Sequence, residues 1–111
     1  DDTVQTTDAT VTNLGTFPPA VSTAYTVAAL VTGKKSGDTQ MAGYKLLAMF
    51  RKNGAGTITQ VGTTLVVGQN EDDAAWDATL DGSAGDIRLR VTGVAATTID
   101  WASTMILRKH A

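Results

Sequence analysis

Residues 86–93 alternate polar and apolar for the length of one strand. Asp86, Arg88, Arg90 and Thr92 take one phase, Ile87, Leu89 and Val91 the other, and Gly93 ends the run. A period of two puts one face in a core and the other in water. The same period recurs along most of the chain. Residues 24–35 predict a long strand with Tyr25, Val27, Ala29 and Val31 on one face and Thr26, Ala28, Leu30 and Thr32 on the other. Residues 41–52 predict a second, with Tyr44, Leu46, Ala48 and Phe50 opposed to Lys45, Leu47, Met49 and Arg51. The leucines, alanine and methionine of this segment also suit a helix. Strand is the better reading, because the neighbours read β and Lys52-Asn53-Gly54-Ala55-Gly56 is a hairpin-like turn. Residues 98–109 predict the last strand, with Ile99, Trp101, Ser103, Met105 and Leu107 on one face.

The remaining segments are less regular. Residues 4–12 alternate valine and alanine with threonine and predict one or two short edge strands. Residues 13–19 end in Pro18-Pro19, which cannot donate to a ladder, and predict a loop. Residues 57–67 predict a returning strand with a bulge or bend at Gly62, followed by an acidic loop over 68–73. Trp76, Ala78 and Leu80 alternate with Asp77, Thr79 and Asp81, and residues 81–86 form a tight connection. Ser36-Gly37-Asp38-Thr39 and residues 93–96 are turns. The pattern predicts an all-β fold: an antiparallel β-sandwich of jelly-roll type with seven to eight strands. Tyr44, Phe50, Trp76, Leu89 and Trp101 are the expected core.

At 111 residues the chain is expected to be a single domain over 1–111. It opens on Asp1-Asp2 rather than methionine, and strand pattern runs almost to its end, so it reads as the C-terminal part of a longer chain. The composition reinforces the β reading: 19 threonines and 11 glycines stand against a single glutamate. A net charge of −2 offers no basic field for nucleic acid. No apolar run approaches the ~20 residues of a membrane helix, so no membrane insertion is expected. The absence of cysteine removes disulfides and thiolate metal sites.

Candidate chemistry is sparse. Glu71, Asp72, Asp73 and Asp77 form an acidic cluster without the Asp-x-Asp-x-Asp-Gly spacing of a calcium loop, and read as a solvated loop. Asp81 and Asp86 flank a glycine-rich turn; paired carboxylates can cleave glycosides, but here turn capping is the better reading. His110, the single histidine, lies next to the last residue, and Ser22, Ser36, Ser83 and Ser103 have no base partner in view. Glycines 54, 56, 82 and 85 make no phosphate loop. We therefore expect no catalytic residues, no bound metal and no cofactor. Trp76 and Trp101 suit either the core or a sugar-stacking platform, and their apolar phase favours the core. Leu30, Leu47, Met49 and Ile106 fall on the phase opposite the core. Scattered surface hydrophobes would account for them, and so would a covering partner subunit; they are the candidate subunit-interface residues.

Three stretches carry a resemblance. Thr6-Thr7-Asp8-Ala9-Thr10, followed by a leucine and a short loop, forms the first. Ala42-Gly43-Tyr44-Lys45-Leu46-Leu47-Ala48-Met49-Phe50-Arg51 forms the second. The third comprises Glu71-Asp72-Asp73-Ala74-Ala75-Trp76-Asp77-Ala78-Thr79 with Ile87-Arg88-Leu89-Arg90-Val91-Thr92-Gly93 and Ile99-Asp100-Trp101. Together they resemble the small trimeric β-sandwich domains of tailed-phage structural proteins, of fibre, spike-tip or capsid-decoration type. The resemblance implies a non-enzymatic virion protein on the particle exterior, a homotrimer in contact with other virion proteins and with host-surface glycan. A capsid decoration (cement) protein is the alternative within that class. A carbohydrate-binding module, which needs an exposed tryptophan platform, and a hydrolase accessory domain are the rivals outside it.

Overall fold

The computed structural model describes residues 2–37 and 39–110. The described residues contain nine strands and no helix: β1 Asp2–Thr6, β2 Thr12–Phe17, β3 Thr23–Lys35, β4 Met41–Lys52, β5 Ile58–Gln60, β6 Leu65–Glu71, β7 Asp77–Ser83, β8 Asp86–Thr92 and β9 Ile99–His110. All pairings are antiparallel. The larger sheet runs β1-β9-β3-β4-β5, with β6 also pairing β4, and the smaller runs β2-β8-β7. The first strand pairs with the last, and β2 pairs with β8 inside that pair, whereas β3–β4 and β7–β8 are hairpins between sequence neighbours.

Period-two burial explains why these segments are strands. Along β3, Tyr25, Val27, Ala29 and Val31 are buried while Ala24, Thr26, Leu30 and Thr32 are exposed. Along β4, Tyr44, Leu46, Ala48 and Phe50 are buried, which resolves the helix alternative. The inner face of the large sheet meets Leu14, Ala78, Leu80, Ile87, Leu89 and Val91 of the smaller one in a single core. Trp76, Trp101 and Leu89 lie at its centre, each no more than 1% exposed. The two indoles meet edge to face at 5.7 Å, and Tyr44 approaches Trp101 at 6.5 Å.

Five sequence expectations need correction. The described residues form nine strands rather than seven to eight, because the segment 57–67 divides and β2 forms within the expected loop. Residues 13–19 are not a loop throughout, because β2 reaches Phe17. A register shift between Asn13 and Gly15 leaves Leu14 and Gly15 both buried in succession, and this bulge hides the alternation. Residues 57–67 are two strands, separated near Gly62, whose φ of 78° makes the bend. Residues 68–71 belong to β6 rather than to a loop, because their backbone pairs with β4. The connection assigned to 81–86 is shorter than expected: Ser83 pairs with Asp86, and Ala84-Gly85 alone makes the turn. Both turn residues have positive φ, 52° and 82°, as a two-residue type I′ hairpin requires. In the turn expected over 36–39, Asp38 lies outside the described residues.

Candidate functional site

Cross-strand register, rather than any one motif, builds the candidate site. On the outer face of the large sheet, Leu65 of β6 stands opposite Leu47 of β4, Leu47 opposite Ala28 of β3, and Ala28 opposite Ile106 of β9. The result is one apolar row across four strands. Leu30 and Met49 lie two residues away from it along β3 and β4, on the same face. Ile106 is 63% exposed, Leu65 53%, Leu30 52% and Met49 45%, while Leu47 and Ala28 are half-buried. No strand among the described residues covers that face. Leu65 was not foreseen as part of it, because β6 has no alternating phase to read: Leu65, Val66 and Val67 are all more than half exposed.

The face is shallowly contoured. A depression of about 450 Å³ lies over Thr32, Lys34, Asp100 and Ala102, and one of about 390 Å³ lies at the opposite end over Ala24, Thr26, Met49 and Arg51. Neither is an enclosed cavity. The arrangement suits docking of another surface.

Three of the four acidic candidates are committed to local hydrogen bonds, and the fourth, Asp77, stands at the start of β7 opposite Thr92. Glu71 accepts the Tyr44 hydroxyl at 2.5 Å and an amide proton from Gln69 at 2.6 Å. Burial first, and then this hydrogen bond and the Glu71 charge, push the Tyr44 hydroxyl pKa far above the tyrosine range. Asp72 accepts the Met41 backbone N–H at 2.9 Å, and Asp73 accepts that of Ala75 at 2.9 Å. The carboxylates therefore do not converge, and no group of three metal-ligating side chains occurs among the described residues.

Asp81 and Asp86 do not face each other. Asp81 stands opposite Arg88 and receives two parallel hydrogen bonds from its guanidinium, both at 2.8 Å; Asp86 stands opposite Ser83. This bidentate pair raises the Arg88 pKa, with some opposing effect of burial. Both tryptophans are 1% exposed, so neither offers a sugar-stacking platform. Ser103 is buried, and His110 is exposed at the end of β9.

No family model matches the chain, and no curated protein matches it. Among solved structures, the chain is similar to the tailspike protein of Acinetobacter baumannii phage AM24, at 11% identity and a TM-score of 0.48. The likeness covers 96% of this chain and 25% of that one, so the chain spans a quarter of the tailspike's length. At that score and identity the likeness bears on neither fold nor function.

Proposed function

We propose that this domain is a non-enzymatic structural component of the exterior of a phage virion, a fibre or spike domain that assembles as a homotrimer through the outer face of its large sheet. The observation that carries this reading is the row Leu65–Leu47–Ala28–Ile106, flanked by Leu30 and Met49, which gathers apolar side chains from four strands on one uncovered face. Apolar groups so aligned favour burial against another subunit. The phage setting rests on the three sequence stretches that resemble tailed-phage structural domains. The nesting of β1 with β9 and of β2 with β8 supports the jelly-roll type, and the β3–β4 hairpin departs from it. Mechanically, three chains held through long strands would form a stiff unit that keeps its neighbours in register and presents its ends to the host surface.

The test is a Leu47→Lys, Ile106→Lys double variant. Lysine at both positions places like charges within the row. The variant should keep the circular dichroism and cooperative unfolding of the parent but sediment as a monomer where the parent is a trimer. Equal sedimentation of the two would refute the role of this face.

A further inference from the structure

We propose that the end of the large sheet where β4 and β9 finish is a binding site for an acidic saccharide, with Arg51 and Arg108 as the groups that hold its carboxylate. The chain is acidic overall, with 11 Asp and Glu against 9 Lys and Arg. One end of the large sheet nevertheless concentrates cations. Arg51, Lys52, Arg108, Lys109 and His110 gather where β4 and β9 end. At the opposite end Glu71, Asp72 and Asp100, where β6 ends and β9 begins, are mixed with Lys34 and Lys35 at the end of β3. The molecule is 46 Å long and 22 to 23 Å across. Its two ends are thus several screening lengths apart in physiological salt, where that length is about 8 Å, and the far carboxylates do not neutralise the basic end.

Register turns the basic cluster into a groove. Arg51, Ala24 and His110 face one another in a row across β4, β3 and β9, and Met49, Thr26 and Arg108 form the next. Strands lie about 4.8 Å apart, so the β4 and β9 backbones are roughly 10 Å from one another. Only the methyl of Ala24 and the short side chain of Thr26 lie between them. The floor is low and the walls are long and cationic.

Arg51, Arg108 and His110 make no ion pair or side-chain hydrogen bond among the described residues. Lys52 is different: it donates to the carbonyls of Pro19 and Gly85 at 3.0 Å and braces the rim. Unengaged guanidinium groups present planar forks that match a carboxylate or phosphate.

The depression here is about 390 Å³, within the broad range of about 300–1,000 Å³ typical of small-molecule sites. Met49 and Val61, 45% and 47% exposed, supply an apolar side to it. A sugar acid has both a charged group for the arginines and a C–H face for Met49 and Val61. A bare anion uses only the first. The groove shares Met49 and the outer face of the large sheet with the assembly surface proposed above, so saccharide binding and self-association compete for this end of the sheet.

The test is NMR titration of the intact chain with a short oligogalacturonate, with its methyl ester and with inorganic phosphate, while light scattering records assembly in the same samples. The oligogalacturonate should shift the amides of Ala24, Thr26 and Met49. An Arg51→Gln, Arg108→Gln variant should bind about tenfold more weakly or worse. Lys45→Gln, on the same face but outside the groove, should leave affinity unchanged. Loss of binding on methyl esterification would support the carboxylate contact. Equal binding of the ester, or undiminished binding by the arginine variant, would overturn the proposal. Phosphate binding as tightly as the oligosaccharide would overturn its saccharide part. If the saccharide gave no shift and the arginine variant lost only self-association, the basic end would serve the carboxylates of a second copy instead.

Discussion

Trp101 Nε1 donates a hydrogen bond to Thr6 Oγ1 at 3.0 Å, between residues 95 positions apart, both of them buried. This contact ties the first strand to the last. It also lets the Trp101 indole sit at the core centre with its N–H satisfied, whereas the neighbouring Trp76 Nε1 has no partner among the described residues. Thr6→Val keeps the shape and removes the acceptor, so it should destabilise the fold by ~1–3 kcal/mol. Thr6→Ser, which retains a hydroxyl, should cost less. Urea unfolding of the three proteins checks this, and equal stability of the valine variant and the parent would contradict it.

Gly33 lies under the same indole. A Cβ built there would stand 2.6 Å from Trp101 Cζ3 and 2.7 Å from Cε3, closer than atoms can pack. Its φ is not in the left-handed region, so the constraint is steric. Gly33→Ala should therefore cost ~1–3 kcal/mol through displacement of the ring. A change in tryptophan fluorescence should accompany the loss. A neutral Gly33→Ala would show that the ring has room to move.

The β7–β8 turn carries a local conflict. Ala84 has φ 52°, a conformation in which its Cβ is strained, and Gly85 follows with φ 82°. Asn-Gly is the preferred pair for this turn. Ala84→Asn should thus stabilise the domain by about 1 kcal/mol, with no change in the contacts around it. A lower thermal midpoint for this variant would mean that the turn differs from type I′.

Tyr44 gives the fold a defined alkaline response. Its hydroxyl pKa is raised in the folded state by burial and by the bond to Glu71. Below an ordinary tyrosine pKa of about 10 both states hold the proton, and the contribution to stability is complete. Above it the unfolded chain releases the proton while the folded chain keeps it, so stability falls as pH rises, by up to ~1.4 kcal/mol per pH unit. Between about pH 8 and about pH 11 the parent should lose more stability than Tyr44→Phe. Parallel losses would show that Tyr44 titrates normally.

The strands that the sequence reveals are those whose two faces differ. In β3, β4, β8 and β9 one face meets the core and the other does not, so the alternation is clean. β2 is hidden by its bulge at Leu14 and by the prolines that follow Phe17. The 68–71 part of β6 is hidden because neither face of the strand is buried; its backbone pairing to β4 makes it a strand, and pairing leaves no side-chain signature. The outward phase of Leu30, Leu47, Met49 and Ile106 is legible strand by strand. Their alignment with Leu65, and the meeting of Arg51 with Arg108 and His110, depend on register between distant segments, which periodicity alone does not specify.

Assembly through the large sheet is the central claim, and the mass of the chain in solution tests it most directly. Multi-angle light scattering at micromolar concentration should return three times the 11.5 kDa of one chain, consistent with an obligate interface burying on the order of 2,000 Å² or more. A strictly monomeric mass would contradict the account and leave the row from Leu65 to Ile106 as solvated surface.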